Sequence, residues 1–378
     1  MEKPIRVLQI GDWEFGKNGI ATIAYNLFRN MNDENIIFDF LIQNEIEDDI
    51  YKKGIENKQG KIYELKIKTK GIRKKVDIFI KMINFFRKNK FEIVHIHEST
   101  AHMMLFYGII TKICGVKTII LHSHSSGFDS NYRMLKSMLH NFAKQCIPLI
   151  TKNYIACSQI AAKWVYKEKY LPIVKIIHNG IEMDKFKFNM KIRNKVRKKF
   201  QIENNFIIGH VGRFSYQKNH EFLLELFIKI KKEKIESKLL LVGDGLLRSK
   251  IENKAKKNGI LEDIIFVNKT NSIEQYYQAM DIFLLPSNFE GLAIVGIEAQ
   301  VAGLSCLFSN NIPKEIEITE LCQFLELDTA IWEHEVVNNH INLHKRKNYK
   351  IKKEYFQYKI ENSARNLESY YMNLGEIK

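Results

Sequence analysis

The sequence predicts an α/β protein made of two Rossmann-like, doubly wound domains. Three observations predict this fold class. The chain has 378 residues, which is long for one ordinary hydrophobic core. Short β-branched runs alternate with helical patterns, as expected of right-handed βαβ units. The alternation then restarts after residues 179–186, which indicates a second sheet.

The first half of the chain contains seven predicted strands with helical patterns between several of them. Alternation of β-branched runs with 3.6-residue periodicity is the basis of each assignment. The predicted strands cover 5–10, 36–42, 61–65, 93–97, 117–123, 153–158 and 174–180, and the predicted helices cover 19–31, 76–88 and 102–115.

The second half repeats the pattern after a charged helix over 191–200. Its predicted strands are "FIIGHV", "KLLLV", "DIIFVN" and "DIFLLPS", and its predicted helices cover 220–233, the region around 272–280, and the segment that carries Glu298. The helical segment 355–374 has no sheet of its own, so we expect it to pack back on the first domain. The expected domains are therefore 1–182, joined by the helix 355–378, and 183–354, facing each other across a cleft.

Composition restricts the class of protein. At 45% hydrophobic and 27% charged residues the chain is typical of soluble globular proteins. Its five cysteines are scattered without a CxxC pair, which argues against a disulfide framework or a cysteine zinc site. No apolar run approaches the ~20 residues of a membrane span, and "MEKPIRVLQIGDW" leads directly into a strand, without a signal peptide. We expect a cytoplasmic protein.

The net charge of +16 reflects a strong bias towards lysine. No zinc finger, helix-turn-helix or aromatic-basic RNA motif accompanies it, so no nucleic-acid partner is expected. The charge is concentrated in residues 61–90 and 131–152, which also carry Phe, Ile, Leu and Met. These segments fit two alternatives: basic amphipathic helices on an anionic membrane surface, and solvated helix faces over the sheet.

Glycines follow the first predicted strand in "QIGDWEFGKNGIATIAYNLFR". Gly16 and Gly19 would let the backbone approach an anion or an acceptor at the start of the next helix. The spacing of Gly11, Gly16 and Gly19 is not that of a dinucleotide-binding GxGxxG loop. A loop that needs a positive backbone angle is the alternative explanation.

Cations follow a strand in "GHVGRFSYQKNH". Gly212 ends the strand, and Arg213 and Lys218 lie in the loop before a helix. An arginine fork, a mobile lysine and a helix start suit a diphosphate, whereas solvated loop residues are the simpler alternative. In the next strand–turn–helix, "LLLVGDGLLRSKIE", Asp244 between two glycines is expected to shape the turn.

Two glutamates lie in the apolar stretch "DIFLLPSNFEGLAIVGIEAQVAGL". Burying a carboxylate without a partner is costly, so Glu290 and Glu298 are expected to bind something. If residues 290–298 were all helical, the two would be ~12 Å apart along the axis, too far to share a proton. They suit two parts of one extended ligand, with Glu290 and Gly291 opening the helix. The backbone N–H groups of Gly291, Leu292 and Ala293 would then be available to phosphate or sugar oxygens.

Together, "GHVGRFSYQKNH", "LLLVGDGLLRSKIE" and "PSNFEGLAIVGIEAQVAG" resemble the carboxyl-terminal half of retaining family-four glycosyltransferases of the GT-B fold. The resemblance implies that Glu298 holds the ribose hydroxyls of a nucleotide sugar and that Glu290 faces the transferred sugar. It also implies that Arg213 and Lys218 hold the diphosphate. In the amino-terminal half, "NGIATIAYNLFRNMN", "FEIVHIHEST" and "LHSHSS" resemble the capsular and exopolysaccharide members.

The chain departs from the family pattern at three places. Asn18-Gly19 stands where the family commonly has Gly-Gly, and Gly303-Leu304-Ser305 replaces the usual Gly-x-Pro. Asn268 stands for a strand-end glycine in the region that the resemblance assigns to the nucleobase. None of these changes removes a charged ligand-binding residue.

Two pairs of histidines lie on predicted strands, in "HIHE" and "HSH". Each pair places two imidazoles on one strand face, which could bind a metal, but without cysteine partners or an Asp-x-Asp pair no metal is expected. Packing and hydrogen bonding at the cleft would account for His95 and His97. By resemblance, either His122 or His124 approaches the donor sugar, and we favour His124.

The resemblance implies a retaining, metal-independent glycosyltransferase that needs no cofactor. Its expected partners are a nucleotide-sugar donor, UDP-linked, and an oligosaccharide or lipid-linked acceptor of a growing surface polysaccharide. Peripheral attachment to the inner face of the cell membrane is the alternative to a purely cytoplasmic address. Two other functions stay open: a GT-B-fold sugar-nucleotide epimerase and a non-catalytic partner subunit of another glycosyltransferase.

Overall fold

A computed structural model describes residues 4–11, 13, 15, 19–32, 36–46, 48–128, 133–340, 346 and 349–376. The chain divides into two compact units. Unit 1 comprises Met1–Gly180 and Gln357–Lys378, and unit 2 comprises Ile181–Phe356. Each unit contains one parallel sheet covered by helices, which confirms the predicted α/β class with two doubly wound sheets.

In the described residues, unit 1 contains seven parallel strands in the order β3-β2-β1-β4-β5-β6-β7. Strands β2 and β4 are buried along their whole length, which explains why they read as continuous apolar runs. The strands are β1 Ile5–Gly11, β2 Ile36–Ile42, β3 Ile62–Glu64, β4 Ile93–Glu98, β5 Thr118–Ser123, β6 Asn153–Ala156 and β7 Lys175–Ile176.

The helices of unit 1 cover both faces of this sheet. They are α1 Gly19–Arg29, α2 Asp49–Asn57, α3 Ile72–Lys88, α4 Ala101–Ile113, α5 Arg133–Cys146, α6 Gln159–Val165 and, from the carboxyl-terminal segment, α14 Ile360–Glu376. Because parallel crossovers are right-handed, the reversal of strand order between β1 and β4 puts α1 and α2 on one face and α3, α4 and α5 on the other. Helix α14 packs against α1 and buries Tyr371 completely.

Unit 2, as far as the structure describes it, contains six parallel strands in the order β10-β9-β8-β11-β12-β13. The strands are β8 Phe206–Val211, β9 Ser237–Val242, β10 Ile264–Val267, β11 Ile282–Leu285, β12 Ser305–Ser309 and β13 Cys322–Leu325. Its helices are α7 Met183–Phe186, α8 Met190–Phe200, α9 His220–Lys232, α10 Arg248–Lys257, α11 Glu274–Ala279, α12 Ile294–Val301 and α13 Thr329–His340. The last element predicted for this half was the helix that carries Glu298. It is followed by β12, β13 and α13, which were not predicted.

A buried ion cluster fixes the start of β11 in unit 2. The carboxylate of Asp281 binds Arg193 at 2.5 Å and Arg197 at 3.1 Å, and it accepts a hydrogen bond from the backbone of Ile207 at 2.7 Å. The Asp281 side chain is only 2% exposed. Two arginines from α8 therefore hold the two central strands of the sheet in register.

No helix in these described ranges is both long enough and apolar enough to span a bilayer.

Candidate functional site

Each sheet has one point where the strand order reverses. In unit 2 it lies between β8 and β11, and in unit 1 between β1 and β4. Loops at the carboxyl ends of such strands diverge and leave room for a ligand. The loops that carry Gly212, Lys218 and Glu290 follow β8 and β11, so most of the predicted donor-binding residues lie at the reversal of unit 2.

Lys218 and Glu290 form a buried ion pair at this point. Nζ of Lys218 lies 2.6 Å from Oε1 of Glu290, and the two side chains are 13% and 6% exposed. Gln217 donates its amide N–H to the other carboxylate oxygen at 2.9 Å. Both oxygens of Glu290 are therefore held, and the carboxylate is fixed in position.

A missing side chain at Gly212 makes room for this lysine. A Cβ at Gly212 would lie 3.0 Å from both Cγ and Cδ of Lys218. The lysine stem thus runs directly over the backbone where β8 ends. The sequence predicted that both residues lie near a phosphate. It did not predict that the missing side chain of Gly212 makes room for the side chain of Lys218.

The two glycines of "VGDG" serve loop packing. Gly243 has φ +149°, and a Cβ there would lie 2.1 Å from the carbonyl oxygen of Gly212. Gly245 has φ +153°, and its Cβ would lie 2.5 Å from the carbonyl oxygen of Phe214. Asp244 accepts from the N–H of Phe214 through its carbonyl at 2.9 Å. The loops after β8 and β9 therefore pack backbone against backbone, and side chains at 243 and 245 would separate them.

The segment after β11 does not open a helix at Glu290, so that expectation was wrong. Helix α12 begins at Ile294 with Ala293 as its N-cap. Asn288 donates from its backbone to the carbonyl of Gln217 at 2.8 Å and from its side chain to that of Tyr216 at 2.7 Å. These bonds, together with the ion pair of Glu290, hold the segment against the loop after β8 and delay the start of the helix.

The predicted backbone donors lie between Glu290 and this helix. Gly291, Leu292 and Ala293 are all buried. In the described part of the chain, the backbone N–H groups of Leu292 and Ala293 have no acceptor. They are available to an anionic or hydroxyl-bearing ligand at the start of α12.

Glu298 lies within α12 and has a different environment from Glu290. It accepts a hydrogen bond from the hydroxyl of Tyr277 at 2.7 Å. Burial raises the pKa of Glu298 to about 7, although the Tyr277 hydroxyl and the charge of Lys218 both act to lower it. Glu298 therefore titrates near neutral pH, whereas Glu290 is paired with a cation. Tyr277 is fully buried and was missed, because a tyrosine 21 residues upstream carries no sequence signal.

Two other predicted donor-binding residues lie apart from this group. Arg213 is exposed in the loop after β8, and it makes no ion pair with any residue that the structure describes. Asn268 lies at the exposed end of β10, the edge strand, where it accepts a hydrogen bond from Arg248. Arg213 is therefore available to an anion, whereas Asn268 is two strands away from the reversal point.

Two buried histidines beside the ion pair were also missed. His210 on β8 donates from Nδ1 to the carbonyl of Leu284 at 2.8 Å, and burial lowers its pKa to about 3. Nε2 of His210 and both ring nitrogens of His220 lack a described hydrogen-bond partner. Burial lowers the pKa of both rings, and the nearby charge of Lys218 lowers each further, so both imidazoles are neutral.

In unit 1, the predicted acceptor loop is described only in part. Gly16 lies outside the described residues. Gly19 begins α1, its φ is not positive, and among the described residues outside its own helix no atom lies within 4 Å of where its Cβ would be. The alternative of a left-handed backbone therefore does not hold at Gly19, and the open space there is compatible with close approach of a ligand.

Four histidines on β4, on β5 and directly after β5 form one buried array: His95, His97, His122 and His124. His97 and His122 are directly paired in register on β4 and β5. Nδ1 of His97 lies 2.9 Å from Nε2 of His124, and Nε2 of His97 lies 2.8 Å from Oε1 of Gln9. Burial lowers the pKa of every ring in the array, that of His124 to about 3, so all four are neutral at pH 7.

The donors of His95, His97 and His122 lie within 4.8 Å of one another, close enough to hold a metal ion. The rings are not equally available to a metal. His97 already uses both ring nitrogens in hydrogen bonds, whereas His122 uses neither. A metal would have to displace Gln9 or His124 from His97.

A family model for "Glycosyl transferases group 1" matches residues 192–321. This region contains Gly212, Arg213, Lys218, Glu290 and Glu298. The match therefore covers the whole described site of unit 2.

Curated relatives match a larger share of the chain. A putative glycosyltransferase of Bacillus subtilis, EpsF, is 27% identical over 80% of this chain and 78% of its own length. The capsular polysaccharide biosynthesis glycosyltransferase CapH of Staphylococcus aureus is 26% identical over 73% of this chain and 72% of its own. The UDP-Gal:alpha-D-GlcNAc-diphosphoundecaprenol alpha-1,3-galactosyltransferase of Escherichia coli is 27% identical over 61% of each chain.

Solved structures show the same fold at low sequence identity. Sucrose-phosphate synthase from Thermosynechococcus elongatus has a TM-score of 0.76 at 16% identity and covers 100% of both chains. HepE from Anabaena, in complex with UDP and glucose, has a TM-score of 0.71 at 15% identity and covers 97% of this chain and 94% of its own. The chain is therefore a glycosyltransferase with the GT-B fold, and its residues 192–321 form a domain that matches the group 1 glycosyl transferases.

Proposed function

We propose that this chain is a retaining glycosyltransferase that moves a sugar from a UDP-linked donor to a hydroxyl of a lipid-linked polysaccharide intermediate. The observation that carries the proposal is the fixed Glu290 carboxylate, held by Lys218 and Gln217 at the strand reversal within the group 1 domain. The names of CapH and of the Escherichia coli galactosyltransferase support polysaccharide synthesis, a UDP-sugar donor and a diphosphoundecaprenol acceptor. The complex of HepE with UDP and glucose supports the same donor class.

In this proposal the cations of unit 2 hold the diphosphate of the donor. Lys218 keeps contact with Glu290 and turns a second N–H towards a phosphate oxygen, since an ammonium carries three donors. Arg213 adds a planar fork from the loop after β8. The backbone N–H groups of Leu292 and Ala293 add uncharged donors at the start of α12.

The two glutamates hold opposite ends of the donor. Glu298 accepts hydrogen bonds from the ribose hydroxyls, which favour its ionised form. Glu290 faces the transferred sugar, where it orients a hydroxyl and stabilises positive charge that develops at the ring.

The reaction exchanges one bond for another on the same face of the sugar. The bond between the anomeric carbon and the diphosphate oxygen breaks, and a bond from the acceptor oxygen forms. The acceptor proton passes to the departing diphosphate. Lys218, Arg213 and the helix start offset the charge that appears on the leaving group, so this step is proposed to need no metal or other cofactor.

His124 is the residue of unit 1 that we propose to meet the sugar. It is neutral, it is 9% exposed, and its Nδ1 has no described partner. A neutral imidazole can bind a hydroxyl without attracting the diphosphate.

The test is a panel of UDP-sugars scored for thermal stabilisation, hydrolysis and transfer to lipid extracted from bacterial membranes. At least one donor is expected to stabilise the protein and to be transferred with its anomeric configuration kept, as read by NMR of the product. Glu290→Gln is expected to lower transfer by ~10²-fold or more, as for loss of one group that stabilises the transition state. Glu221→Gln is the matched control, because it removes an exposed partner of Lys250 outside the site.

Three results would contradict the proposal. If no UDP-sugar stabilised the protein, the donor class would be wrong. If Glu290→Gln left cellular polysaccharide unchanged while deletion of the chain abolished it, the chain would be a non-catalytic partner subunit. If activity disappeared with a chelator and returned with Zn²⁺ or Mg²⁺, metal independence would be wrong.

A further inference from the structure

Helix α5 exposes its apolar side chains and buries a smaller face. The buried face consists of His140, Ala143 and, just beyond the helix, Ile147. Exposed apolar side chains recur at helical spacing on the other side, with exposures of 82%, 72%, 67%, 46% and 64%: Met134, Leu135, Met138, Leu139 and Phe142. Burial of such side chains is favourable, so an exposed stripe of them on one helix indicates that something covers it.

Neighbouring helices on the same face of the sheet also expose apolar side chains. Helices α3, α4 and α5 all lie on that face, and α4 packs against both of the others. The end of α4 contacts the turn that follows α5, because Lys112 donates a hydrogen bond to the carbonyl of Leu149. Further exposed apolar residues on this face are Ile72, Val76 and Ile80 on α3, Ile113 at the end of α4, and Leu149.

The charge of the same region is one-sided. Residues 66–90 carry ten Lys and Arg and one acidic residue, Asp77. Residues 133–152 carry four Lys and Arg and no acidic residue. Apolar side chains accompanied by cations complement an anionic lipid surface, where each Lys or Arg near the headgroups adds to the attraction.

We propose that α3, α5 and the end of α4 form a docking surface for an anionic phospholipid bilayer, which we call the α3–α5 surface. Apolar side chains of α5 enter the boundary between headgroups and acyl chains, and the lysines and arginines of α3 bind phosphate groups. The surface lies on the membrane rather than spanning it, which agrees with the absence of a bilayer-spanning helix among the described residues. This inference adds a partner to the proposed function, but it does not need catalysis.

The test is co-sedimentation of the full chain with vesicles. We expect strong binding to an equimolar mixture of phosphatidylcholine and phosphatidylglycerol, weak binding to phosphatidylcholine alone, and a fall in binding as salt rises. The double variant Met138→Glu, Phe142→Glu removes two inserted side chains and adds two repelled charges, so its binding is expected to fall at least ~10-fold.

The matched control is Met190→Glu, Ile331→Glu, which changes two exposed apolar residues on helices of unit 2. It is expected to bind vesicles like the parent chain. Melting curves of all variants establish that each is folded.

Equal binding of both double variants would overturn the proposal, as would no preference for anionic vesicles. A concentration-dependent dimer that the α5 variant dissociates would show that a second copy covers the surface instead. If the parent chain bound vesicles but transferred no sugar, that result would count against the proposed function and not against this surface.

A second inference comes from the buried histidine array. A hydrogen-bonded chain runs from His124 through His97, Gln9 and Tyr371 to His95. The amide oxygen of Gln9 can only accept, so the nitrogen it faces, Nε2 of His97, carries the proton. Nδ1 of neutral His97 is then a lone pair, which accepts from Nε2–H of His124.

We infer that Gln9 is a positioning residue that fixes His124 in the tautomer with a bare Nδ1. That nitrogen is buried and has no described partner. A bare imidazole nitrogen can only accept, so it selects a ligand group that donates, such as a sugar hydroxyl. The amide N–H of Gln9 faces Tyr371 at 3.5 Å, and the Tyr371 hydroxyl lies 2.5 Å from Nδ1 of His95. Gln9 thus sets the direction of hydrogen bonding along the whole chain.

The test is NMR of the protein with ¹⁵N-labelled histidine. We expect the His97 and His124 rings in the parent chain to be protonated at Nε2. Gln9→Glu keeps an acceptor at this place and should preserve both tautomers, whereas Gln9→Leu should give a mixture. Protonation of His124 at Nδ1 in the parent chain would overturn the inference, because the amide would then be reversed. Stoichiometric Zn²⁺ binding that shifts the signals of His95, His97 and His122 would also overturn it and would identify a metal site.

Discussion

The raised pKa of Glu298 predicts how donor binding depends on pH. In the free protein this carboxyl titrates at about 7, and ribose hydroxyls donate only to its ionised form with full strength. The ionised fraction is ~0.1 at one pH unit below the pKa and ~0.9 at one unit above it. Affinity for a UDP-sugar should therefore rise ~10-fold, or ~1.4 kcal/mol, as the pH rises across this interval.

The sign follows from proton linkage. Because the bound state prefers the carboxylate, its pKa is lower with donor than without, and binding near or below neutral pH releases a proton. Calorimetry in two buffers of different ionisation enthalpy measures that proton directly. A UDP-sugar is the right ligand, because its diphosphate has no free terminal group that titrates near neutral pH.

Glu298→Gln is the control, since a neutral amide oxygen can still accept from Tyr277 and from a ribose hydroxyl. It should bind the donor with an affinity that hardly changes with pH, and it should release no proton. If the parent chain and this variant had the same pH profile, Glu298 would not be the group that titrates, and its assignment to the ribose would lose its physical basis.

Three further predictions concern the architecture around this site. Tyr277→Phe removes the hydrogen bond that favours ionised Glu298, so the pKa of Glu298 should rise further and the pH at which donor affinity is half-maximal should move upward in the same calorimetric series. Asp281→Ala leaves two arginines without their buried anion and should cost ~3–5 kcal/mol in the free energy of unfolding, measured with urea. Gly243→Ala places a Cβ within 2.1 Å of a backbone oxygen at φ +149°, so it should lower both stability and donor affinity by forcing apart the loops after β8 and β9.

Matched controls separate these effects from general damage. Gly115→Ala also adds a methyl group at positive φ, +80°, but in open space and outside unit 2, so it should leave donor affinity unchanged. Asp263→Ala removes a carboxylate that is about a quarter exposed and binds two lysines, so it should cost ~1 kcal/mol or less. A loss of stability for Asp281→Ala no larger than that would show that the buried cluster is not what holds β8 and β11 in register.

Much of the fold was predictable because its signals are local. Alternating apolar runs located eleven of the strands, and the strand–turn–helix pattern placed Lys218 and Glu290 in loops that follow strand ends. Their direct ion pair was not foreseen, since the sequence does not show which charged side chains of two separate loops contact each other in the folded chain.

The remaining features depend on tertiary packing. Glu290 was expected to open a helix, but the helix begins only at Ile294, after a segment that Asn288 bonds to the loop after β8. Tyr277, Gln217 and Gln9 are neutral residues at unremarkable spacings, and only the folded chain shows which charged or aromatic groups they contact. The histidines were readable as pairs on strand faces, but the hydrogen-bonded order among them depends on Gln9 and on Tyr371 from the far end of the sequence.

The return of α14 to unit 1 has a consequence for synthesis on the ribosome. Unit 2 is contiguous in sequence, so it can fold as soon as it emerges, whereas unit 1 lacks a helix until α14 has followed. Until then Phe38 lacks its ring contact with Tyr371, and His95 lacks its buried hydroxyl partner. The contact between His95 and Tyr371 is thus formed last, and a nascent chain that stalls within unit 2 exposes the first sheet, without one of its covering helices, to chaperones and proteases.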